Sequence, residues 1–251
     1  MKIIDQNTYP RKAHFDYFKT FTYPHFSLCA NVDITNFFRF INENNKPFFA
    51  SFLYAVTRVC NDIPEFRQRI RDDQIVEHDS VNPSFTIMTS QNVFSFYTAN
   101  YMNNFFRFVE YTLAGIELKK NEVSLKDEEG VDNLIYITSI PWVSFTNITH
   151  PIQITPADST PRISWGRYFT EGDKVMLPLS VQVSHALMDG YHVGIFYEKI
   201  QEFLSHPDQY IMSIADSERD EKEKAYDTRI IRTSSLSQRM RSEYPYEMNF
   251  Q

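Results

Sequence analysis

His185 stands at the end of a strand-like run, Lys174–Val183, within the segment Ser184-His185-Ala186-Leu187-Met188-Asp189-Gly190. A helix-like run follows from Tyr191 to Leu204. Imidazole is the side chain whose ordinary pKa lets it take up and return a proton near neutral pH. A histidine just past a strand, with Asp four residues on and Gly beside it, is therefore a candidate catalytic turn. The strand register supports this. Val175, Leu177, Leu179, Val181 and Val183 share one parity, and Met176, Pro178, Ser180 and Gln182 the other. Alternate residues face one side of a strand, so a strand that runs on turns His185 toward the apolar row. Shielding there favours the neutral, basic imidazole. The competing reading is a core histidine satisfied by a backbone carbonyl. His185, Asp189 and His192 at i, i+4 and i+7 do not match a zinc spacing, and no metal is expected.

The elements around this turn follow from periodicity. Phe48, Phe49, Phe52, Leu53, Val56, Val59 and Cys60 recur at helical spacing and predict a helix over Pro47–Asn61. Helices are also expected at Arg11–Thr20, at Asn36–Glu43 with Thr35 as N-cap, at Met102–Leu118, and from Val193 on. Strands are expected at Phe26–Ile34, Phe85–Thr89, Val93–Thr98, Leu134–Ile140 and Trp142–Asn147, the last two kinked by Pro141. Arg162–Phe169 and Lys174–Val183 read as a hairpin closed by Thr170-Glu171-Gly172-Asp173. Residues 119–133 read as a charged loop and 149–162 as an irregular excursion.

Composition sets limits. The chain has 251 residues, 42% hydrophobic and 16% aromatic, with Phe 22 and Tyr 15 against Gly 6. That is ample for a large core. A net charge of −7 disfavours a nucleic-acid partner, which needs a basic footprint. Only Cys29 and Cys60 are present, so a disulfide framework is not expected and two reduced thiols are. No apolar run approaches the ~18 residues of a membrane span, and the N-terminus lacks the apolar region of a signal peptide. A cytoplasmic protein with no membrane partner is the expectation. Beyond Pro207 the chain turns polar: Asp216–Lys224 is a mixed charge run and Thr233–Arg241 is polar and basic. The expected division is a domain over 1–206 and a solvated C-terminal extension over 207–251, with Tyr226, Ile230, Ile231 and Leu236 able to pack onto a neighbour.

Five ordered blocks resemble the chloramphenicol acetyltransferases, a branch of the CoA-dependent acyltransferases. They are Arg11-Lys12-Ala13-His14-Phe15, Pro64-Glu65-Phe66-Arg67, Asp79-Ser80-Val81-Asn82-Pro83, Pro141-Trp142-Val143-Ser144-Phe145, and the run from Glu171 through His185, Asp189 and Gly190 to Val193. The resemblance extends from Thr8 to Leu204. It implies an α+β two-layer sandwich, with a large mixed β-sheet covered by helices. It implies acetyl transfer from acetyl-CoA, as co-substrate, to a hydroxyl of chloramphenicol, and hence antibiotic resistance. It also implies a homotrimer with active sites at the subunit interfaces.

The resemblance assigns roles by position. His185 is the general base, and the acceptor oxygen attacks the thioester directly. Asp189 pairs with Arg11 and pins the turn, with a plain turn-capping aspartate as the lesser alternative. Gly190 is expected to supply a φ that other residues resist. Ser164 falls where the family has a water-holding threonine, and Tyr168 and Arg167 fall near the CoA adenine and phosphates. Phe18, Tyr23 and Phe26 fall in the block that lines the acceptor pocket, with ordinary core packing as the plainer reading. Two positions depart from the family. Ser184 replaces a histidine, and Asn147 replaces the serine that donates to the tetrahedral intermediate. An amide NH₂ can donate there, as can Thr146 or Ser144; otherwise activity falls. A different hydroxyl acceptor and a catalytically silent binding protein are the alternatives.

Overall fold

A computed structural model of the chain describes residues 1–125, 130–155 and 158–215, with side chains through Ile211. The Asp216–Lys224 run, the Thr233–Arg241 stretch, Tyr226, Ile230, Ile231 and Leu236 lie outside the described residues, as do 126–129 of the expected charged loop.

In chain order the elements are β1 (Lys2–Ile3), α1 (Lys12–Phe18), β2 (His25–Asp33), α2 (Thr35–Glu43), α3 (Phe48–Asn61), a 3-10 turn (Pro64–Arg67), β3 (Gln68–Arg71), β4 (Gln74–Glu77), β5 (Asn82–Met88), β6 (Phe94–Thr98), α4 (Phe105–Lys119), β7 (Leu134–Ile140), β8 (Arg162–Gly166), β9 (Phe169–Glu171), β10 (Lys174–Ser184), α5 (Gly190–Ser205) and α6 (Pro207–Ala215). The large sheet runs β2-β10-β8-β7-β5-β6, with β9 also on β10; a small sheet runs β1-β4-β3. β5–β7 and β7–β8 are parallel and the other ladders antiparallel, so the sheet is mixed. With its helical layer this is the expected α+β sandwich.

β10 organises the molecule because it is paired on both sides, to β2 from Met176 to Ser184 and to β8 from Leu179 to Gln182. Its two faces differ in kind. Leu177, Leu179, Val181 and Val183 are fully buried in the apolar core. The same face carries Trp165 and Ile163 of β8, which meet α3. Phe52 and Phe49 pack on Trp165 with ring centroids 5.0 and 5.8 Å away. Each such ring contributes about 1.5–3 kcal/mol by leaving water, and Phe52→Ala, which also leaves a cavity beside Trp165, is expected to cost about 3–5 kcal/mol. The opposite row, Ser180, Gln182 and Ser184, is also buried but polar. It aligns with Ser164 and Arg162 on β8 and with His25 on β2.

Local chemistry sets the ends. Asp33 Oδ1 accepts from the Thr35 amide at 3.0 Å and its hydroxyl at 2.6 Å, so Asp33 satisfies the start of α2 while Thr35 is its first residue rather than its cap. Asn104 caps α4 by accepting from the Arg107 amide at 3.1 Å, starting it three residues later than expected. Two strand expectations are corrected. Trp142–Asn147 is not a strand. β7 ends at Ile140, and the chain crosses over Gly166 instead: Val143 O accepts from the Arg167 amide at 2.9 Å. A Cβ at Gly166 would sit 2.5 Å from Val143 O and 2.9 Å from Pro178 Cγ, so the crossing needs that glycine. The Arg162–Phe169 strand is interrupted. Trp165 faces Leu179 and Phe169 faces Met176, four steps against three, so a bulge places Arg167 and Tyr168 off the ladder.

After α5 the chain does not leave the body at once. Tyr210 of α6 lies 5.1 Å from the Phe203 ring, and Ile211 is buried. Among the described residues no helix is long and apolar enough to cross a membrane. Cys29 and Cys60 are both unpaired thiols.

Candidate active site

His185 leaves β10 with its amide donating to Pro24 O at 2.6 Å, so the turn begins tied to the entry of β2. Leu187 and Met188 amides close it onto Ser184 O at 3.1 and 3.0 Å. Asp189 then opens α5 as its N-cap, its Oδ1 accepting from the Tyr191 amide at 3.0 Å. His192 Nδ1 lies 3.2 Å from the Asp189 amide and 2.9 Å from Oδ1, accepting from the amide when it bears no hydrogen and donating to Oδ1 when it does. Gly190 is corrected here: its φ is not positive and a Cβ would meet nothing within 4 Å. It opens the helix in an ordinary conformation.

Arg11 holds the turn from the other side with a fork. Nη1 pairs with Asp189 Oδ2, while Nη2 donates to the carbonyl of His185 at 3.2 Å. The guanidinium therefore divides its arms between carboxylate and backbone rather than gripping both carboxylate oxygens. It touches the histidine's own peptide as well as its neighbour, so it fixes the position of the base directly. Burial alone would raise the Asp189 pKa, but Arg11 and His192 outweigh it and hold the carboxyl below its ordinary range.

The imidazole of His185 is half-buried between two rings. Phe18 stacks on it with centroids 4.0 Å apart and planes 5° from parallel, and Phe26 leans on it at 4.9 Å. Its Nδ1 is buried without a hydrogen bond among the described residues. Phe18 and Phe26 thus wall the base itself. Tyr23 does not join them. Its hydroxyl accepts from Gln182 Nε2 at 3.0 Å, on the polar face of the sheet.

The remaining candidates lie elsewhere in the chain. Ser164 is buried opposite Ser180, five residues along β10 from His185, roughly 16 Å at ordinary strand rise. Asn147 is exposed and makes no side-chain hydrogen bond among the described residues. Arg167 is exposed with its guanidinium open to solvent, and Tyr168 packs beside Phe38 and Phe48 at 5.4 and 5.9 Å. One chain therefore brings His185, Asp189, Arg11, Phe18 and Phe26 together and sets Ser164, Tyr23, Asn147, Arg167 and Tyr168 apart from them. An open cleft of about 440 Å³ lined by Asp33, Arg39, Asp173 and Lys174 sits at the other end of β10 and contains none of these residues.

Sequence reasoning did not single out the polar row. His150 Nε2 lies 2.7 Å from Ser164 Oγ, and its amide donates to Gln182 Oε1 at 2.9 Å. Arg162 pairs with Asp158 above the same face. The signal was present in the alternation of β10, whose second parity is Ser180, Gln182, Ser184.

Comparison with known proteins identifies the family. The family model described as chloramphenicol acetyltransferase matches residues 1–201. A chloramphenicol acetyltransferase of Proteus mirabilis is 32% identical over 202 residues, covering 80% of this chain and 93% of the relative. One of Bacillus pumilus is 31% identical over 212 residues, covering 84% and 96%. A solved chloramphenicol acetyltransferase superposes with a TM-score of 0.71 at 26% identity, covering 81% of this chain and 99% of the other. The Azotobacter vinelandii dihydrolipoamide acetyltransferase, at 14% identity and a TM-score of 0.61, shares the fold. With most of its length matched in sequence and in backbone, the chain belongs to the chloramphenicol acetyltransferase family.

Proposed function

We propose that this protein is an acetyl-CoA-dependent O-acetyltransferase acting on a hydroxyl of chloramphenicol, with His185 as general base. The observation that carries the reading is the Arg11 fork, which fixes both the carbonyl of His185 and Asp189 while leaving the imidazole between two aromatic walls. Such a ring is held for proton transfer at one nitrogen. Nε2 takes the proton of the acceptor hydroxyl as its oxygen bonds to the thioester carbon. The tetrahedral intermediate then collapses, the C–S bond breaks, and the proton leaves with CoA as its thiol. Arg11 and Asp189 position the base. Asn147 supplies a donor to the developing oxyanion, Ser164 holds a water beside the intermediate, and exposed Arg167 with Tyr168 suits the phosphates and adenine of CoA.

The separation of Ser164 from His185 within one chain supports a site shared between copies, as in a homotrimer. The unpaired thiols Cys29 and Cys60 suit a reducing, cytoplasmic setting. Capping the drug's hydroxyl would protect cells that make the protein.

The test is thiol release from acetyl-CoA with chloramphenicol, with product identified by mass. Turnover is expected, falling about 100- to 10,000-fold in His185→Gln. Sedimentation is expected to give three chains of 29.7 kDa. No release above the His185→Gln control overturns the reading. The exposed, unbonded Asn147 favours one second reading, the same chemistry on another alcohol, which a better acceptor in the same assay would establish.

A further inference from the structure

The polar face of the large sheet contains buried atoms with no side-chain hydrogen-bond partner among the described residues. Ser184 Oγ and both ring nitrogens of His25 are buried without a hydrogen bond among the described residues, and these two residues sit directly opposite each other on β10 and β2. Buried polar atoms are normally paired, so this face suits polar groups from beyond the described residues. Beside the orphans, His150 is tied down at two points. Its amide is held by Gln182, itself anchored on Tyr23, and its Nε2 reaches Ser164 Oγ at 2.7 Å. Asn147, three residues earlier on the same segment, has no such tether.

The geometry points to His150 as a positioning residue of the transfer site, donating Nε2–H to Ser164 Oγ so that the Ser164 hydroxyl is left free to donate outward. The inference rests on the acetyl-transfer reading above and names a residue that reading does not use. A serine hydroxyl has one hydrogen and two lone pairs. Were Nε2 the acceptor, the single hydrogen of Ser164 would point at His150 and none would remain to donate to a water held beside the intermediate. With Nε2–H as donor, that hydrogen is available. The groups acting on the ring are Ser164 and Arg162 on β8, while Gln182 on β10, anchored on Tyr23, holds the backbone amide. Burial, then the positive charge of Arg162, lower the ring's pKa and favour its neutral form, in which one nitrogen bears the proton and the tautomer decides the role.

Three substitutions in the full chain separate donor from acceptor. His150→Gln places an amide NH₂ near the same point and should retain most of kcat. His150→Leu removes the donor, and His150→Glu replaces it with an acceptor. Both should lose about tenfold in kcat, with the chloramphenicol KM changed less than about twofold. A Gln variant as impaired as Leu, or a Glu variant as active as wild type, overturns the inference. A second measurement is independent of turnover. In protein labelled with ¹⁵N-histidine, the ring correlation missing from His150→Gln should report the Nε2–H tautomer and should change in Ser164→Ala. An Nδ1–H tautomer overturns the inference even in an active enzyme. Absence of turnover over His185→Gln overturns the functional reading instead, while the tautomer still decides the contact.

Discussion

At the scale of single residues, the decisive interaction is the divided grip of Arg11. Replacing Asp189 leaves the Arg11 guanidinium without its carboxylate, and replacing Arg11 leaves Asp189 with His192 alone as an ion-pair partner among the described residues. Arg11→Met or Asp189→Asn is expected to cost about 1–3 kcal/mol, below the range for fully buried pairs because the Asp189 side chain is 28% exposed. Denaturant titration checks this, and the double variant should lose less than the sum of the singles. The pH dependence has a defined sign. Asp189 is held below its ordinary value, so its contribution is present above about pH 4 and disappears as pH falls through the lower folded value. The stability gap between wild type and Asp189→Asn should therefore persist at neutral pH and close only under stronger acid. In the sequence, the pairing of Arg11 with Asp189 was legible through resemblance. The second arm, onto the carbonyl of His185, was not, because nothing in residue types reveals where a backbone oxygen points.

At the scale of elements, the crossing of 141–147 over Gly166 links fold to site. Gly166→Ala would push a methyl group into Val143 O and the Pro178 ring. It is expected to cost about 1–3 kcal/mol and to displace the segment that carries Asn147 and His150. Unfolding in denaturant measures the first effect, and a fall in kcat larger than that of an Asn147 variant measures the second. The helices and most strands were readable from period alone, since α3 and β10 bury whole faces and hydrophobic spacing reports burial. The segment after Pro141 was misread as a strand. Trp142, Val143 and Phe145 have strand-forming side chains, but their course is set by the absence of one at Gly166, which lies more than twenty residues away. The bulge at Arg167–Tyr168 was hidden for a related reason: it is a mismatch in count between two strands, invisible in either alone.

At the scale of the whole molecule, two buried histidines and one half-buried one tie stability to pH. His25, His150 and His78 are each held below the ordinary imidazole value, burial being the main cause; Arg162 adds to it at the first two, and Asp132 partly offsets it at His78. Below about pH 6.5 the unfolded chain binds protons that the folded chain refuses, so stability rises with pH through this window. Unfolding free energy should drop between pH 7.5 and 5.5, and His25→Phe should flatten that slope. An unchanged slope in the variant would remove His25 from the account. One feature of β10 reaches further. Its two parities present different chemistry, an apolar row ending at His185 and a hydroxyl- and amide-bearing row ending at Ser184. Losing one residue between Gln182 and His185 would rotate the imidazole through half a turn, away from Phe18 and into the layer of Ser164 and Gln182. Length in this strand is thus as constrained as identity, and tolerated insertions must fall in the turns beyond it.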